Sequence, residues 1–375
     1  MQKNLYRKII IISLKFAPGL YKEFRLIGDK FGEKNFSVSY ILSEGYREMI
    51  SSETIDVEFI SNSRNLKEVF FDSLKFLLKG SRSFVKKLKH ESPQVIYFYN
   101  IHPLNILFAI LGRAFLHKIT IIFHLHEPFQ PDKSFFTKRQ RAIVYIQEYL
   151  QKKMVFLSDC VVTPSPFAHE LFRKYYPTYN RSVHTVPLCI PDAPAKSLNR
   201  SYAVMPGHMF PDGRVDDFCA LLEYAAQNEC SFRFKVVTSS YITNFLKLKI
   251  SDRAMLLLDI VEKKSLSDAE INEHVANAFA VLSMHTRGSQ SGVTPVAFMN
   301  GTPIAARNIP MFSQFVNDGV NGKLVSAVAH PSEWIAALEF IKSNVEELSK
   351  NARESYSKIF HEDNLQRYLQ RVVET

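Results

Sequence analysis

The chain reads as two α/β domains, each an open parallel sheet covered on both faces by helices. Three observations predict this. The length of 375 residues is roughly two to three times that of a usual single domain. Short apolar runs without polar alternation exchange places with amphipathic stretches, the pattern of parallel strands buried on both faces. The series also stops once, in a proline-containing segment near the middle, and then begins again.

The first series predicts strands at Lys8–Leu14, Ser37–Leu42, Val57–Ile60, Val95–Tyr99, Thr120–His124, Asp159–Thr163 and Val183–Val186. Helical patterns over Tyr21–Phe31, Leu66–Leu88 and Lys138–Leu157 fall between them. Residues 187–200, PLCIPDAPAKSLNR, carry Pro187, Pro191 and Pro194 and no apolar period, so they read as a linker. The second series opens on AVMPG at 203–207, followed by a helix around Val215–Gln227 and the run FKVVTS. It continues through AMLLLDIV, a helix at Ser267–Ala278, the strand AFAVLS, a short helix after Pro295, and TPIAA. Glu362–Val373 sets Leu365, Tyr368, Leu369, Val372 and Val373 in a helical stripe that must pack on something. The expected organisation is therefore an N-terminal domain over 1–188, a linker over 189–200, a C-terminal domain over 201–355, and a closing helix over 356–375 that packs back toward the N-terminal domain. In such sheets ligands bind beyond the carboxyl ends of the strands, so two facing domains are expected to enclose a central cleft.

Composition narrows the class further. Apolar residues at 46% and charged residues at 22% are ordinary for an ordered globular chain and exclude disorder or a fibre. The net charge of +10 is uneven: residues 1–187 hold 28 basic against 16 acidic side chains, the remainder 19 against 21. Such asymmetry points to an anionic partner, either nucleic acid, a membrane or a phosphorylated ligand; a solvated basic face is the plain alternative. The cysteines, Cys160, Cys189, Cys219 and Cys230, have no paired spacing, which suits reduced thiols in a cytoplasmic protein better than disulfides or zinc. The N-terminus is basic and then apolar for only about six residues before Lys15, without a cleavage site, and reads as a first strand rather than a signal peptide. Asn105–Leu116 is apolar but interrupted by Arg113 and too short to span a bilayer. The segment Lys75–Lys89, KFLLKGSRSFVKKLK, mixes basic and apolar residues as a helix lying on an anionic membrane does. Gly80 weakens it, and a solvated helix face is its other reading. No nucleic-acid-binding module is recognisable, so nucleic acid is not an expected partner.

The segment most suggestive of chemistry runs from Leu282 to Val325. A strand ends at Ser283, a Gly- and Ser-rich loop follows, and Thr294-Pro295 starts a helix that Asn300-Gly301 ends. Backbone N–H groups of Gly292, Val293 and the first turn then suit an anion such as a diphosphate; an ordinary tight turn is the alternative. In the first half, the strand of IIFHLHEPF delivers His126 and Glu127 at its polar end, a place for polar catalysis. The spacing His124-x-His126-Glu127 also suggests a metal, but no third ligand cluster accompanies it, and none is expected. A structural histidine is the plain alternative for His126, and an ordinary turn glycine for Gly19.

These motifs, taken in order, resemble the family 4 glycosyltransferases. V-T-P-V-A-F-M-N-G-T-P-I followed by F-V-N-D-G-V-N-G-K-L-V is similar to the C-terminal signature of that family. The other landmarks are A-P-G at Ala17–Gly19, H-E-P at His126–Pro128, S-D-C-V-V-T-P-S at Ser158–Ser165, H-T-V-P-L-C-I at His184–Ile190 and L-S-D-A-E-I at Leu266–Ile271. The resemblance covers nearly the whole chain. It implies the GT-B fold of two Rossmann-like, doubly wound domains. It also implies transfer of a hexose or related sugar from a nucleotide-diphosphate donor, such as a UDP- or GDP-sugar, to a glycan or lipid-linked acceptor. Retention of anomeric configuration, without a metal or other cofactor, is implied as well.

Residue by residue, the resemblance makes His126 the histidine that contacts the reacting sugar, with Glu127 beside it. Gly19, Gly207, His208, Ser289, Gln290, Ser291, Gly292, Val293 and Thr294 fall at donor-binding positions. Two departures stand out. The family's Glu-x7-Glu pair aligns with Ser289 and Ala297, neither acidic, which leaves Gln290 or Ser291 to hydrogen-bond in its place. The family's phosphate-clamping cations become Gly207-His208 and then Arg214, displaced by one position; an exposed loop arginine is the alternative there. With its basic half and no anchor, such an enzyme is expected to be cytoplasmic and peripheral on the inner face of the cell membrane, acting in surface polysaccharide or lipopolysaccharide synthesis. A non-catalytic glycan-binding scaffold, and an epimerase or hydrolase of sugar nucleotides, are the competing readings.

Overall fold

The computed structural model describes all residues except 1–6, 51–52, 54, 61–80, 130–132, 135, 197–198, 208–213 and 375. The chain divides into two compact units, Met1–Pro187 with Leu365–Thr375, and Leu188–Asn364.

The first unit is built on seven parallel strands in the order β3-β2-β1-β4-β5-β6-β7. They are β1 (Arg7–Ser13), β2 (Phe36–Leu42), β3 (Val57–Phe59), β4 (Val95–Phe98), β5 (Thr120–His124), β6 (Cys160–Thr163) and β7 (Ser182–Thr185). Four consecutive isoleucines, Ile9–Ile12, are fully buried in β1, because helices lie on both faces of a parallel sheet. Those helices are α1 (Tyr21–Glu33), α2 (Ser81–Glu91), α3 (Pro103–Phe115), α4 (Lys138–Leu157) and α5 (Pro166–Tyr175). Local sequence sets where they start. Pro103 and Pro166 stand in the first turns of α3 and α5, and Thr137 with Gln140 forms a reciprocal capping box at α4.

In the second unit six parallel strands run β10-β9-β8-β11-β12-β13. They are β8 (Tyr202–Pro206), β9 (Arg233–Thr238), β10 (Leu258–Glu262), β11 (Ala278–Ser283), β12 (Ile304–Arg307) and β13 (Gly322–Val325). Its helices are α6 (Arg214–Gln227), α7 (Thr243–Lys249), α8 (Asp268–Ala276), α9 (Val293–Met299), α10 (Pro331–Ser343) and α11 (Val345–Ser355), and α12 (Glu362–Val373) then carries the chain back to the first unit. Trp334 and Leu338 of α10 and Phe218 and Leu222 of α6 fill the core over one face of this sheet.

Several details differ from the sequence expectation. AMLLLDIV is not one strand: Ser251 caps a single helical turn at Asp252–Met255, and β10 starts only at Leu258. The segment read as a linker belongs to the second unit. Its backbone is tied there by Ala195 N–H to Asn300 Oδ1 and by the Arg200 guanidinium to the carbonyls of Ala278 and Asn300. Prolines hide the periodicity of such a segment without freeing it. The final helix starts at Glu362 rather than 356, after a π-helical turn at Tyr356–Phe360.

Gly322 begins β13 with its Cα against β12, where a Cβ would overlap the carbonyl oxygen of Ile304 and crowd Val316. Gly322→Ala is expected to destabilise the protein by about 1–3 kcal/mol, read as a lower midpoint in thermal or urea unfolding. An unchanged midpoint would mean that the strand ladder gives way there at no cost.

The basic segment 75–89 is described from Ser81 onward, its earlier part lying outside the described residues. In α2 the apolar side chains Phe84 and Leu88 are fully buried in the core, and Lys87 pairs with Glu91 at 2.7 Å. The described part of this segment therefore presents charge without a free apolar stripe. Among the described residues no helix is long and apolar enough to cross a membrane.

Candidate active site

In the first unit the strand order turns at β1, which pairs with β2 on one side and β4 on the other. The chain emerging from β1, β4 and β5 meets there, at the switch point where open α/β sheets bind ligands. Asn100, just after β4, ties these ends together, donating to Ser13 Oγ at 2.8 Å and to the Lys15 carbonyl at 3.0 Å. The residues after β1, β4 and β5 and the inner side of α4 enclose a cavity of about 330 Å³. Ala17, Leu20, Phe123 and Val144 give it apolar walls; Lys15, Asn100, His126, Glu127 and Gln151 add polar groups.

His126 stands at this cavity with defined orientation. Its Nε2 lies 3.0 Å from the carbonyl oxygen of Tyr99. A carbonyl only accepts, so Nε2 carries the proton and Nδ1 is the acceptor of the ring. The ring stacks on His124 at 4.3 Å and 14°, and meets the Tyr99 ring edge-on at 4.8 Å. His124 Nδ1 lies 3.1 Å from the Tyr97 hydroxyl. Glu23, projecting from α1 and only 6% exposed, places Oε1 3.8 Å from His124 Nε2, too far for a hydrogen bond. Glu23 Oε2 and His124 Nε2 are buried without hydrogen-bond partners. Burial disfavours every charge here. It raises the Glu23 carboxyl to about 7, lowers His126 to about 4, and holds His124 well below the usual imidazole range. His126 is thus a neutral, fixed hydrogen-bonding group at neutral pH.

The sequence offered no third metal ligand beside His124 and His126, but α1 supplies one in Glu23. The ligand-capable atoms of these three residues lie within 4.8 Å of one another. A zinc-like ion needs donors at about 2.0–2.2 Å whose lone pairs converge on one point. Two imidazoles stacked face to face direct their in-plane lone pairs side by side, so this arrangement does not form a coordination set.

The other expected residues of this unit fall around the cavity. Glu127 lines it, and its carbonyl accepts from Gln151 Nε2 at 3.0 Å. Gly19 lies in a 3-10 turn, Pro18–Leu20, where a Cβ would touch nothing within 4 Å. Its neighbours Ala17 and Leu20 line the cavity, whereas Gly19 does not.

The second unit repeats the arrangement, its strand order turning between β8 and β11. Gly207 follows β8 with φ +98°, a conformation that favours glycine. His208 lies outside the described residues. Arg214 begins α6, but its side chain is outside the described structure. Beyond β11 the loop carries Gly288 at φ +134°, where a Cβ would stand 2.6 Å from Met311 Sδ. Ser289 is fully buried, and its carbonyl accepts from Gln314 Nε2 at 3.1 Å. Gly292 precedes α9 without a side-chain cap, and Val293 is the first helical residue. Gln290 Oε1, Ser291 Oγ and Thr294 Oγ1 are buried with no hydrogen-bond partner among the described residues. Three orphaned polar atoms in one short loop call for a ligand or a water. The structure therefore gathers Ser289–Thr294 at the end of β11, beside the strand that ends at Gly207.

Sequence reasoning missed Glu23, Tyr97 and Asn100. Glu23 gave one signal, a carboxylate directly beside Phe24 in the buried stripe of Phe24, Ile27 and Phe31, where a solvated residue is not expected.

Two units, each a parallel sheet with polar groups at its switch point, form the GT-B fold of glycosyltransferases. Solved structures share it along the chain. Sucrose-phosphate synthase of Thermosynechococcus elongatus matches with a TM-score of 0.70 at 13% identity, covering 98% of each chain. HepE of Anabaena, in complex with UDP-glucose, gives 0.67 at 14% identity over 98% of this chain and 99% of its own. The lipopolysaccharide outer core galactosyltransferase WaaB in its apo form gives 0.67 at 13%, again over 98% and 99%. Residues 34–193 match the family described as Glycosyltransferase Family 4, in agreement with the resemblance read from the motifs. No curated protein matches the chain by sequence.

Proposed function

We propose that the protein transfers a hexose or related sugar from a nucleotide-diphosphate donor to a hydroxyl of a glycan or lipid-linked acceptor, with retention of configuration. The observation that carries this reading is the stretch from the loop after β11 into the first turn of α9, where Gln290, Ser291 and Thr294 bury three polar atoms that have no hydrogen-bond partner among the described residues. A nucleotide sugar offers the hydroxyl and phosphate groups they lack. Arg214, at the start of α6, is assigned to the departing diphosphate. In this reading the bond from the anomeric carbon to the diphosphate breaks while the acceptor oxygen attacks from the same face, and the leaving diphosphate takes the acceptor proton. His126 holds the sugar through its Nδ1, and the cavity beside it receives the acceptor. No metal has a role, in keeping with the side-by-side lone pairs of His124 and His126. The setting is surface polysaccharide or lipopolysaccharide synthesis, by a cytoplasmic enzyme at the inner face of the cell membrane.

Because HepE holds UDP-glucose, UDP-hexoses are the first donors to test, with GDP-sugars beside them. In EDTA, calorimetry is expected to show selective binding of one nucleotide class. Thr294→Val, which keeps the shape and deletes the orphaned hydroxyl, is expected to weaken that binding roughly tenfold without lowering the melting temperature. Binding of no nucleotide sugar, or a melting temperature that falls with affinity unmoved, would sink the donor assignment.

A further inference from the structure

Among the described residues of the first unit, most large apolar side chains left exposed fall on one pair of neighbouring helices. Ile110 and Phe115 of α3 and Tyr145, Ile146, Tyr149 and Phe156 of α4 are all more than one-third exposed, Tyr145 and Tyr149 at 59% and 61%. The two helices pack side by side, joined at their ends by Arg113 Nη2 donating to the Leu157 carbonyl at 2.9 Å. α4 thus has two working faces. Val144, Gln147 and Gln151 line the cavity that holds His126, while Tyr145, Ile146 and Tyr149 point away from the core.

Charge on this surface is predominantly basic, its acids already paired, as Asp159 is with Arg113 at 2.7 Å. α3 and α4 carry Arg113, Lys138, Arg139, Arg141, Lys152 and Lys153 against a single acid, Glu148, and Glu148 is paired with Lys133 at 3.0 Å. Lys153 lies 5.3 Å from the centre of the Tyr149 ring, and Lys89 of α2 lies 5.2 Å from that of Phe115. Apolar bodies edged by basic heads match the boundary of an anionic bilayer, where rings and aliphatic groups enter the acyl edge and ammonium groups meet phosphate. A second copy of the chain fits poorly, because it would set two basic faces against each other without acids to pair them.

We propose that the outer face of α3 and α4 docks the protein on an anionic lipid bilayer and so brings the lipid-borne acceptor to the cavity on the other side of α4. Of the segment 75–89, the described part in α2 buries its apolar Phe84 and Leu88 and so offers no comparable face. The acceptor half rests on the transfer reading above. Docking itself is measured without any sugar, so the two fail separately.

The test is flotation of the full chain with vesicles of phosphatidylcholine alone or mixed with phosphatidylglycerol. Binding to the mixed vesicles only, lost on Tyr145→Ser with Tyr149→Ser, is the expected result. Lys152→Gln with Lys153→Gln is expected to lower partitioning about 30-fold. Both double variants change exposed side chains and are expected to keep the wild-type melting temperature and nucleotide-sugar affinity. Failure to float with either vesicle, or flotation that neither double variant weakens, overturns the proposal. So does concentration-dependent dimerisation abolished by the same substitutions without vesicle binding, which would assign the face to a second copy.

Discussion

His126→Ala is expected to slow sugar transfer by roughly 100-fold or more, with nucleotide-sugar affinity nearly unchanged. The reasoning starts from the strand. β5 ends at His124, and the chain turns so that His126 Nε2 reaches the Tyr99 carbonyl. The stacked His124 ring prevents the imidazole from swinging. A neutral ring held from two sides can present one lone pair to a sugar hydroxyl with little reorganisation, which is what positioning requires. The groups after β11 that the proposed function assigns to the donor belong to the other unit, so donor affinity is expected to survive the substitution. His126→Asn keeps an N–H for the Tyr99 carbonyl and serves as the control for folding. If both variants transfer at the wild-type rate, His126 is part of the scaffold. If the alanine variant alone fails and also melts early, the loss belongs to packing rather than to the sugar.

The second large effect concerns stability and pH. Glu23→Gln is expected to make the protein more stable than wild type at neutral and alkaline pH, by an amount that vanishes in acid. The folded-state carboxyl titrates near 7 because burial penalises its charge, whereas an unfolded glutamate titrates near its ordinary value of about 4.3. Below that ordinary value both states hold the proton and the group contributes no difference. As pH rises toward 7 the unfolded chain releases its proton and the folded chain does not, so wild-type stability falls by about 1.4 kcal/mol for each pH unit. Above 7 the penalty levels at roughly 3–4 kcal/mol, and glutamine, with no proton to release, avoids it. His124 and His126 act in the opposite direction. Their folded-state values are lowered, so acid below about 6.5 stabilises the unfolded chain in wild type and variant alike. The difference between the two urea-unfolding curves isolates Glu23. A difference that stays constant from about pH 4 to about pH 8 would show that the carboxyl is not a buried, reluctant acid.

How far the sequence could be read depended on where the information lies. Thr120–His124 and Lys138–Leu157 were legible to the residue. One is a run of β-branched and aromatic residues, and the other begins at a capping box and ends before a β-forming segment. β13 was not read as a strand: its four residues, Gly-Lys-Leu-Val, start with a glycine retained for contact with β12 and offer no alternation. The one-turn helix at Asp252–Met255 was hidden inside an apolar run because length alone separates a buried turn from a buried strand. Within the site, His126 and Glu127 could be picked out because polar residues follow a strand end, and Ser289–Thr294 because a Gly- and Ser-rich loop leads to the Thr294-Pro295 helix start and aligns with the family's signature. Glu23 could not, since its neighbour His124 is far away in sequence and only the pairing of β1, β4 and β5 brings α1 over it. The exposed side of α4 was equally invisible: its aromatic residues sit at spacings that a buried face would also show, and only the fold reveals that, among the described residues, this side is left exposed.

The grouping of Leu365–Thr375 with residues 1–187 bears on how the protein is made. A chain emerging from the ribosome releases every strand of the first sheet early, yet Leu365, Leu369 and Val372, all buried, appear only after the whole of the second unit. The first unit must therefore wait, unfinished, while the whole of the second is synthesised. During that interval the surface that α12 will cover is open to solvent and to chaperones. Completion of the first unit is tied in this way to synthesis of the whole second unit, and a message cut short within residues 188–364 yields a protein in which neither unit is whole.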